Sequence, residues 1–295
     1  MRPALVLVAI SLAGCSSLRP GALALADGAD RPAVTMRTTR RAPSRGPLRG
    51  PVLLRRRHGA TAVYERTQRL ESTSVGLAGG LDVRARSRLT VQRLPGGRWR
   101  ETEDFLEIAT VASGERRALE RARTVRLHLR ADDRNRAVEL AWGVGRASPA
   151  LGLLLKTALE RLRVVYPRGA VDRGDRWAAR PFVVDGHGAG IPVRIRVEPR
   201  FTVRDLERRD GQPVARIGWD LAIRVFPFAA LGAPVEGQGR ARGETLVELA
   251  DGRTGHTALD ITIGLRPAGT PATAEPPLRL GVRYTETVRR FVTAR

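Results

Sequence analysis

Long stretches of the chain alternate apolar and polar residues with a period of two, the pattern of β-strands that bury one face. No strand–helix–strand spacing is present, so we expect the strands to pair antiparallel. Turn residues favour hairpins at 95–97, 132–135 and 251–255. The predicted strands span residues 60–70, 81–94, 99–108, 124–129, 137–142, 191–203, 213–226, 244–250, 257–265 and 278–292.

One segment follows a helical period instead. Ser148 can cap a helix with Pro149 at its first position, and Pro167 marks its end. We therefore predict an amphipathic helix over 148–164, packed against a concave sheet, with a lipid-contacting helix as the alternative. The expected fold class is mainly β (α+β), a large curved antiparallel sheet or half-barrel with this one helix. The apolar stripe of the helix, expected to face inward, comprises Leu151, Leu154, Leu155, Leu159 and Leu162.

The N-terminus has the layout of a secretory signal. Arg2 precedes a short apolar stretch that ends in small residues before Cys15. The stretch is about half the length of a transmembrane helix, so we expect it to be removed. The predicted signal peptide covers 1–14.

The four residues ending at Cys15 resemble the bacterial lipobox. The resemblance implies cleavage before Cys15 and a lipid on its sulfur, which would hold the protein on a membrane. An ordinary secretory signal with a chance cysteine is the alternative. Cys15 is the only cysteine of the chain, so it has no disulfide partner within it. Ser16 is not the aspartate that retains lipoproteins in an inner membrane, which favours the outer membrane, facing the periplasm.

Composition divides the remaining chain in two. Residues 15–51 are rich in Pro, Gly, Ala and Arg and lack a sustained apolar period, so we predict a flexible tether that follows the lipid. Residues 52–295 are predicted to form a single β domain.

The charge of the chain is strongly positive, at +22. Lys156 is the only lysine, so the excess is almost wholly arginine, a bias that a GC-rich genome also produces. In the stretch 83–89 the arginines alternate with apolar residues, as on a solvated strand face. We expect a solvated surface or a contact with anionic envelope groups, and no nucleic-acid partner.

A short stretch resembles a family of uncharacterised bacterial lipoproteins. In that family a proline precedes a valine-containing segment and a Gly-Asp-x-Trp turn, here Pro167, Gly174, Asp175 and Trp177. A second similarity is a strand leading into the turn at 251–255. The resemblance implies no activity. The residues themselves suit a structural role, a tight turn followed by a buried ring.

Catalytic chemistry has no recognisable residue set in this sequence. The four histidines, at 58, 128, 187 and 256, lack a second ligand at metal spacing, and no cofactor fingerprint is present. We therefore expect no enzymatic activity, no cofactor and no metal. Two functions remain: binding of a lipid or hydrophobic ligand between sheet and helix, or a scaffold that binds another envelope protein or an anionic surface polymer.

Overall fold

In a computed structural model, the described part of the chain contains fourteen strands. The structure describes residues 46–56, 62–72, 81–112, 115–120, 126–144, 163–188, 191–230, 233–271, 276 and 278–290. The strands are β1 (Gly46–Pro47), β2 (Ala62–Ser72), β3 (Leu81–Leu94), β4 (Arg98–Ala112), β5 (Glu115–Glu120), β6 (Arg126–Ala131), β7 (Ala137–Val144), β8 (Arg176–Ala178), β9 (Phe182–Gly188), β10 (Ile191–Arg209), β11 (Gln212–Ala230), β12 (Ala233–Glu248), β13 (Arg253–Pro267) and β14 (Leu278–Arg290).

All strands belong to one open antiparallel sheet, which confirms the predicted mainly β class. Its order is β1-β10-β11-β12-β13-β14-β2-β3-β4-β6-β7, while β5 pairs with β4, and β8 and β9 both pair with β10. Most neighbours are hairpins. The pairs that are not consecutive in the chain are β1 with β10, β8 with β10, β4 with β6, and β14 with β2. The last of these joins the two ends of the domain.

The described residues contain no α-helix; a single 3₁₀ turn, Pro95–Gly97, links β3 to β4. Most of the helix predicted over 148–164, including its five leucines, lies outside the described residues. Its last two residues, Arg163 and Val164, are described and are not helical. No helix of the described chain is long and apolar enough to cross a membrane.

Two irregular segments, 46–56 and 163–171, cover one face of the sheet, which we call the inner face. Leu54, Val164 and Tyr166 are buried there against β10–β13. An isolated bridge between Val52 and Val171 ties the two segments together. Backbone without regular structure therefore occupies a place that helices often fill in proteins with a single sheet.

The sheet is strongly curved. Leu89 on β3 and Trp219 on β11 line the same small chamber of about 30 Å³ on the inner face, although four strands separate β3 from β11 in the sheet order. In a flat sheet five steps of strand spacing would hold them about 24 Å apart. The two halves of the sheet therefore bend toward each other around the chamber.

Candidate functional site

The residues that resemble the lipoprotein family form a compact turn. Gly174 has a φ of 91°, a backbone conformation that favours glycine. A carboxylate oxygen of Asp175 accepts a hydrogen bond from the backbone amide of Asp172 at 2.8 Å. Trp177 donates its indole N–H to the carbonyl of Val165 at 2.7 Å. Pro167 is half-buried beside them. These contacts hold the 163–171 segment against β8. The predicted lipid-attachment residue, Cys15, lies outside the described residues.

A groove of about 510 Å³ opens on the outer face of the sheet next to this turn. We call it the basic groove. Four arginines border it, and its lining includes one acidic residue, Asp220. The arginines are Arg176 on β8, Arg200 and Arg204 on β10, and Arg242 on β12.

Strand register places these arginines on the outer face. Cross-strand partners share a face of the sheet, and neighbours along a strand alternate. Arg200 pairs with Ala178 on one side and with Asp220 on the other, and Asp220 pairs with Arg242. The next residues along these strands, Trp177, Phe201 and Trp219, point to the inner face, where Phe201 lies 5.4 Å and 5.1 Å from the other two ring centroids.

Small residues form the floor of the groove. Arg176 pairs with Thr202 and Thr202 with Gly218. The side chain of Arg204, which follows a β-bulge, lies over Gly218, because a Cβ built there would collide with its guanidinium end. The glycine therefore allows Arg204 to lie flat across the strand and to extend the positive border.

The nearby carboxylates are already paired with other arginines. Asp220 accepts hydrogen bonds from Arg240, whose Nε lies 2.5 Å from Oδ1. That hydrogen bond lowers the pKa of Asp220, and Arg242 and Arg200 add to the effect at longer range. Glu244 binds Arg216 at 3.0 Å.

As a result, none of the four groove arginines makes an ion pair or hydrogen bond within the described part of the chain. All four are exposed, so their charge faces the groove and the solvent.

The inner chamber is a second polar feature, and sequence reasoning missed it. Arg56, Arg66 and Arg253 are 6–8% exposed, and Glu101, Glu103 and Glu286 are 2–6% exposed. With Arg163 they form what we call the buried ion network. Isolated charges are costly to bury, so each of them needs partners.

Glu101 on β4 is one centre of the buried ion network. Arg163 donates Nη1 to Oε2 at 2.8 Å and Nη2 to Oε1 at 2.9 Å. Arg56 Nη2 lies 2.5 Å from Oε1. Burial acts to raise the pKa of Glu101, but Arg163 and Arg56 outweigh it and hold that pKa well below its usual range. The ionised form of Glu101 is therefore favoured between two cations.

Arg66 on β2 is the other centre. Its Nη1 donates to Glu103 Oε2 at 2.9 Å, and its Nε lies 3.4 Å from Glu286 Oε1. Tyr284 donates to Glu286 at 2.6 Å and accepts from Gln68 at 3.1 Å. Burial raises the pKa of Glu103, and the negative charges of Glu286 and Glu101 raise it further against the opposing effect of Arg66.

The described residues hold no group of three or more His, Cys, Asp or Glu side chains able to bind a metal ion. His128 and His256 contact threonine hydroxyls at 3.0 Å and 3.2 Å. The basic groove is thus the exposed site with the most distinct chemistry, that of an anion receptor. Compared with models of known protein families and with curated proteins, the chain has no match in either.

Proposed function

We propose that this protein is a lipid-anchored envelope protein that binds the phosphate groups of an anionic membrane surface through the basic groove. The observation that carries the proposal is the set of four exposed groove arginines, none of which forms an ion pair within the described residues. Guanidinium groups donate pairs of parallel hydrogen bonds to phosphate oxygens, which favours arginine over lysine in such sites.

The position of the N-terminal segment supports a membrane as the source of phosphate. β1 pairs with β10 at Gly46 and Arg208, so the chain that leads from Cys15 enters the domain on the strand that carries Arg200 and Arg204. Thirty residues, 16–45, separate Cys15 from β1. Such a chain reaches at most about 100 Å when fully extended, which keeps the groove at high local concentration near a membrane that holds the lipid.

The binding test uses the full chain with Cys15→Ser, which removes the predicted anchor and leaves only the domain to bind. Vesicles of phosphatidylcholine, with or without phosphatidylglycerol, are titrated with the protein. Arg200→Gln with Arg242→Gln removes two groove charges. The matched control, Arg98→Gln with Arg289→Gln, removes two exposed charges from β4 and β14, away from the groove.

We expect binding to anionic vesicles only, weakened about tenfold or more in the groove variant, because each arginine near such a surface contributes about 1 kcal/mol. The control variant should lose distinctly less. Equal losses in the two variants would show that the overall charge binds and not the groove. The same proteins are also tested for binding to polyphosphate. If the groove variant loses polyphosphate binding but binds vesicles as the wild type does, the groove binds a soluble anionic polymer and the membrane proposal is overturned.

We also infer that the amphipathic helix predicted over 148–164 lies within that span over the inner face. The chain leaves β7 at Val144 and returns at Val164, which is buried among inner-face residues. The leucine stripe would then complete the apolar cover that Leu54 and Tyr166 begin. A carrier for an acyl chain needs a cavity of several hundred Å³. The chamber on the described inner face has about 30 Å³ and charged walls, which favours the anionic surface over the carrier.

A further inference from the structure

The inner chamber lies between the two halves of the sheet, on the face opposite the basic groove, and its walls are rich in cations. Arg56, Arg66, Arg163 and Arg253 line it, against the carboxylates of Glu101 and Glu286. Its volume of about 30 Å³ has room for one or two water-sized particles. Phosphate and larger anions are therefore too big for it.

Hydrogen-bond donors in the chamber lack acceptors. Among the described residues, Nε and Nη1 of Arg56 and Nε of Arg66 and of Arg253 are buried without a hydrogen bond. Nε of Arg66 lies 3.4 Å from Glu286 and Nε of Arg253 lies 3.6 Å from Asp251, both longer than a normal hydrogen bond. The side chain of Arg56 is only 4% exposed. Buried N–H groups in native proteins nearly always have a partner, either protein or a bound particle.

The carboxylates of the chamber are already occupied. Both oxygens of Glu101 accept hydrogen bonds from Arg163, and Oε1 also contacts Arg56. Glu103 accepts from Arg66 and Ser87, and Glu286 accepts from Tyr284. The free donors therefore exceed the free acceptors. A water molecule would bring two more donors, whereas a small anion brings only acceptor capacity.

We propose that the chamber binds one monatomic halide ion, chloride in the cell, held by the guanidinium N–H groups of Arg56, Arg66 and Arg253 that make no hydrogen bond. The ion completes the hydrogen bonds of these side chains and joins the two halves of the curved sheet. Its role is structural, because the three arginines that hold it are buried.

The test uses bromide, which resembles chloride and scatters anomalously. The full chain is unfolded thermally in increasing sodium bromide, with sodium gluconate keeping the ionic strength constant, since gluconate is too large for the chamber. We expect a saturable rise in Tm. Crystals grown in bromide should show one anomalous peak within hydrogen-bond distance of Arg56 Nε.

Two variants separate this site from general salt effects. Arg56→Lys keeps the charge but removes the free Nε–H and Nη1 donors, so the saturable bromide effect should disappear. Arg266→Lys is the control, because Arg266 is about equally buried and its Nε also lacks a hydrogen bond. That Nε lies 3.7 Å from Glu236, outside the chamber. Its bromide effect should persist.

Any of three results would overturn the proposal. The chamber could hold water without an anomalous peak, bromide peaks could appear on the surface alone, or Arg56→Lys could retain the saturable rise in Tm. If Arg56→Lys does not fold, the anomalous peak in the wild-type crystal decides.

Discussion

Arg163 donates two parallel hydrogen bonds to the carboxylate of Glu101, with N–O distances of 2.8 Å and 2.9 Å. The two residues are 62 positions apart. The pair joins the irregular 163–171 segment to strand β4, and Arg56 adds the 46–56 segment to the same carboxylate. One buried anion thus fixes both segments that cover the inner face.

Glu101→Gln should destabilise the protein by about 3–5 kcal/mol, because removal of one partner leaves buried cations uncompensated. Urea unfolding followed by circular dichroism gives the free energy of unfolding. The control is Glu139→Gln, which breaks an exposed pair with Arg130 at 3.0 Å and should cost below about 1 kcal/mol. Equal effects of the two substitutions would contradict the central place of Glu101.

Glu103 should make stability fall as pH rises above its ordinary pKa of 4.5. Its folded pKa is raised, so between 4.5 and that higher value the native state binds more protons than the unfolded state. The stabilisation of the native state by Glu103 is therefore complete below pH 4.5, and it is lost as pH rises through the folded pKa. The groups that face Glu103 are Arg66, Ser87, Glu286 and Glu101.

The measurement compares wild type with Glu103→Gln, which mimics the neutral carboxyl, from pH 4.5 to pH 8. The free energy of unfolding of the wild type minus that of the variant should decrease with rising pH. Glu101 acts in the opposite sense below pH 4.5, since its pKa is lowered and its stabilisation is lost as pH falls. A difference that increases with pH would show that Glu103 is held ionised.

Gly252→Ala should displace the 46–56 segment. Gly252 has a φ of 67°, and a Cβ there would collide with the backbone carbonyl of Arg55. Gly211→Ala is a matched control, because its φ is 80° and no atom lies within 4 Å of its added Cβ. The control should cost about 1 kcal/mol for backbone strain alone, and Gly252→Ala about 1–3 kcal/mol more. Similar Tm values for both variants would contradict the close packing of this segment.

Alternating residues predicted much of the sheet, and β3 has the predicted bounds. The first half of β12 was missed because its glycines weaken a strand signal. Gly237, Gly239 and Gly243 lie where β13 passes so closely that a Cβ would collide with its backbone or side chains. A close approach of two strands depends on pairing that local sequence does not encode.

The buried ion network did leave a signal in the sequence. Arg66 and Gln68 alternate in step with buried Tyr64, and Glu101 and Glu103 alternate in step with buried Trp99 and Phe105. Opposite charges at inward positions of nearby strands predict a buried network. The arginines predicted as a solvated face in 83–89, Arg84, Arg86 and Arg88, are exposed, whereas Arg66 on the neighbouring strand β2 is buried.

The basic groove had no comparable signal. Its border combines a three-residue strand, β8, with three arginines that lie up to 66 positions away from Arg176 in the sequence. Only the register of β8, β10, β11 and β12 brings them together, and the pairing of Asp220 with Arg240 leaves them without a carboxylate.

Cys15→Ser should abolish labelling of the protein with a palmitate analogue. It should also abolish retention of the protein in the membrane fraction after a wash in about molar salt. At that salt concentration surface charges are screened over about 3 Å, so electrostatic attraction no longer holds the protein. Lipid chains hold a protein through burial of methylene groups, a contribution that salt does not weaken. Wild-type protein should stay with the membranes through the same wash. Salt-resistant retention of the Cys15→Ser protein would contradict the predicted anchor.

The salt dependence of vesicle binding tests the central claim, the basic groove as a receptor for membrane phosphate, most directly. Exposed charges are screened over about 8 Å at physiological ionic strength, so binding of the Cys15→Ser protein should fall steeply as salt rises. The Arg200→Gln, Arg242→Gln protein should show a clearly shallower dependence than the Arg98→Gln, Arg289→Gln protein, because it has lost two phosphate contacts. Parallel salt dependences in these two variants, or binding that salt leaves unchanged, would contradict the claim.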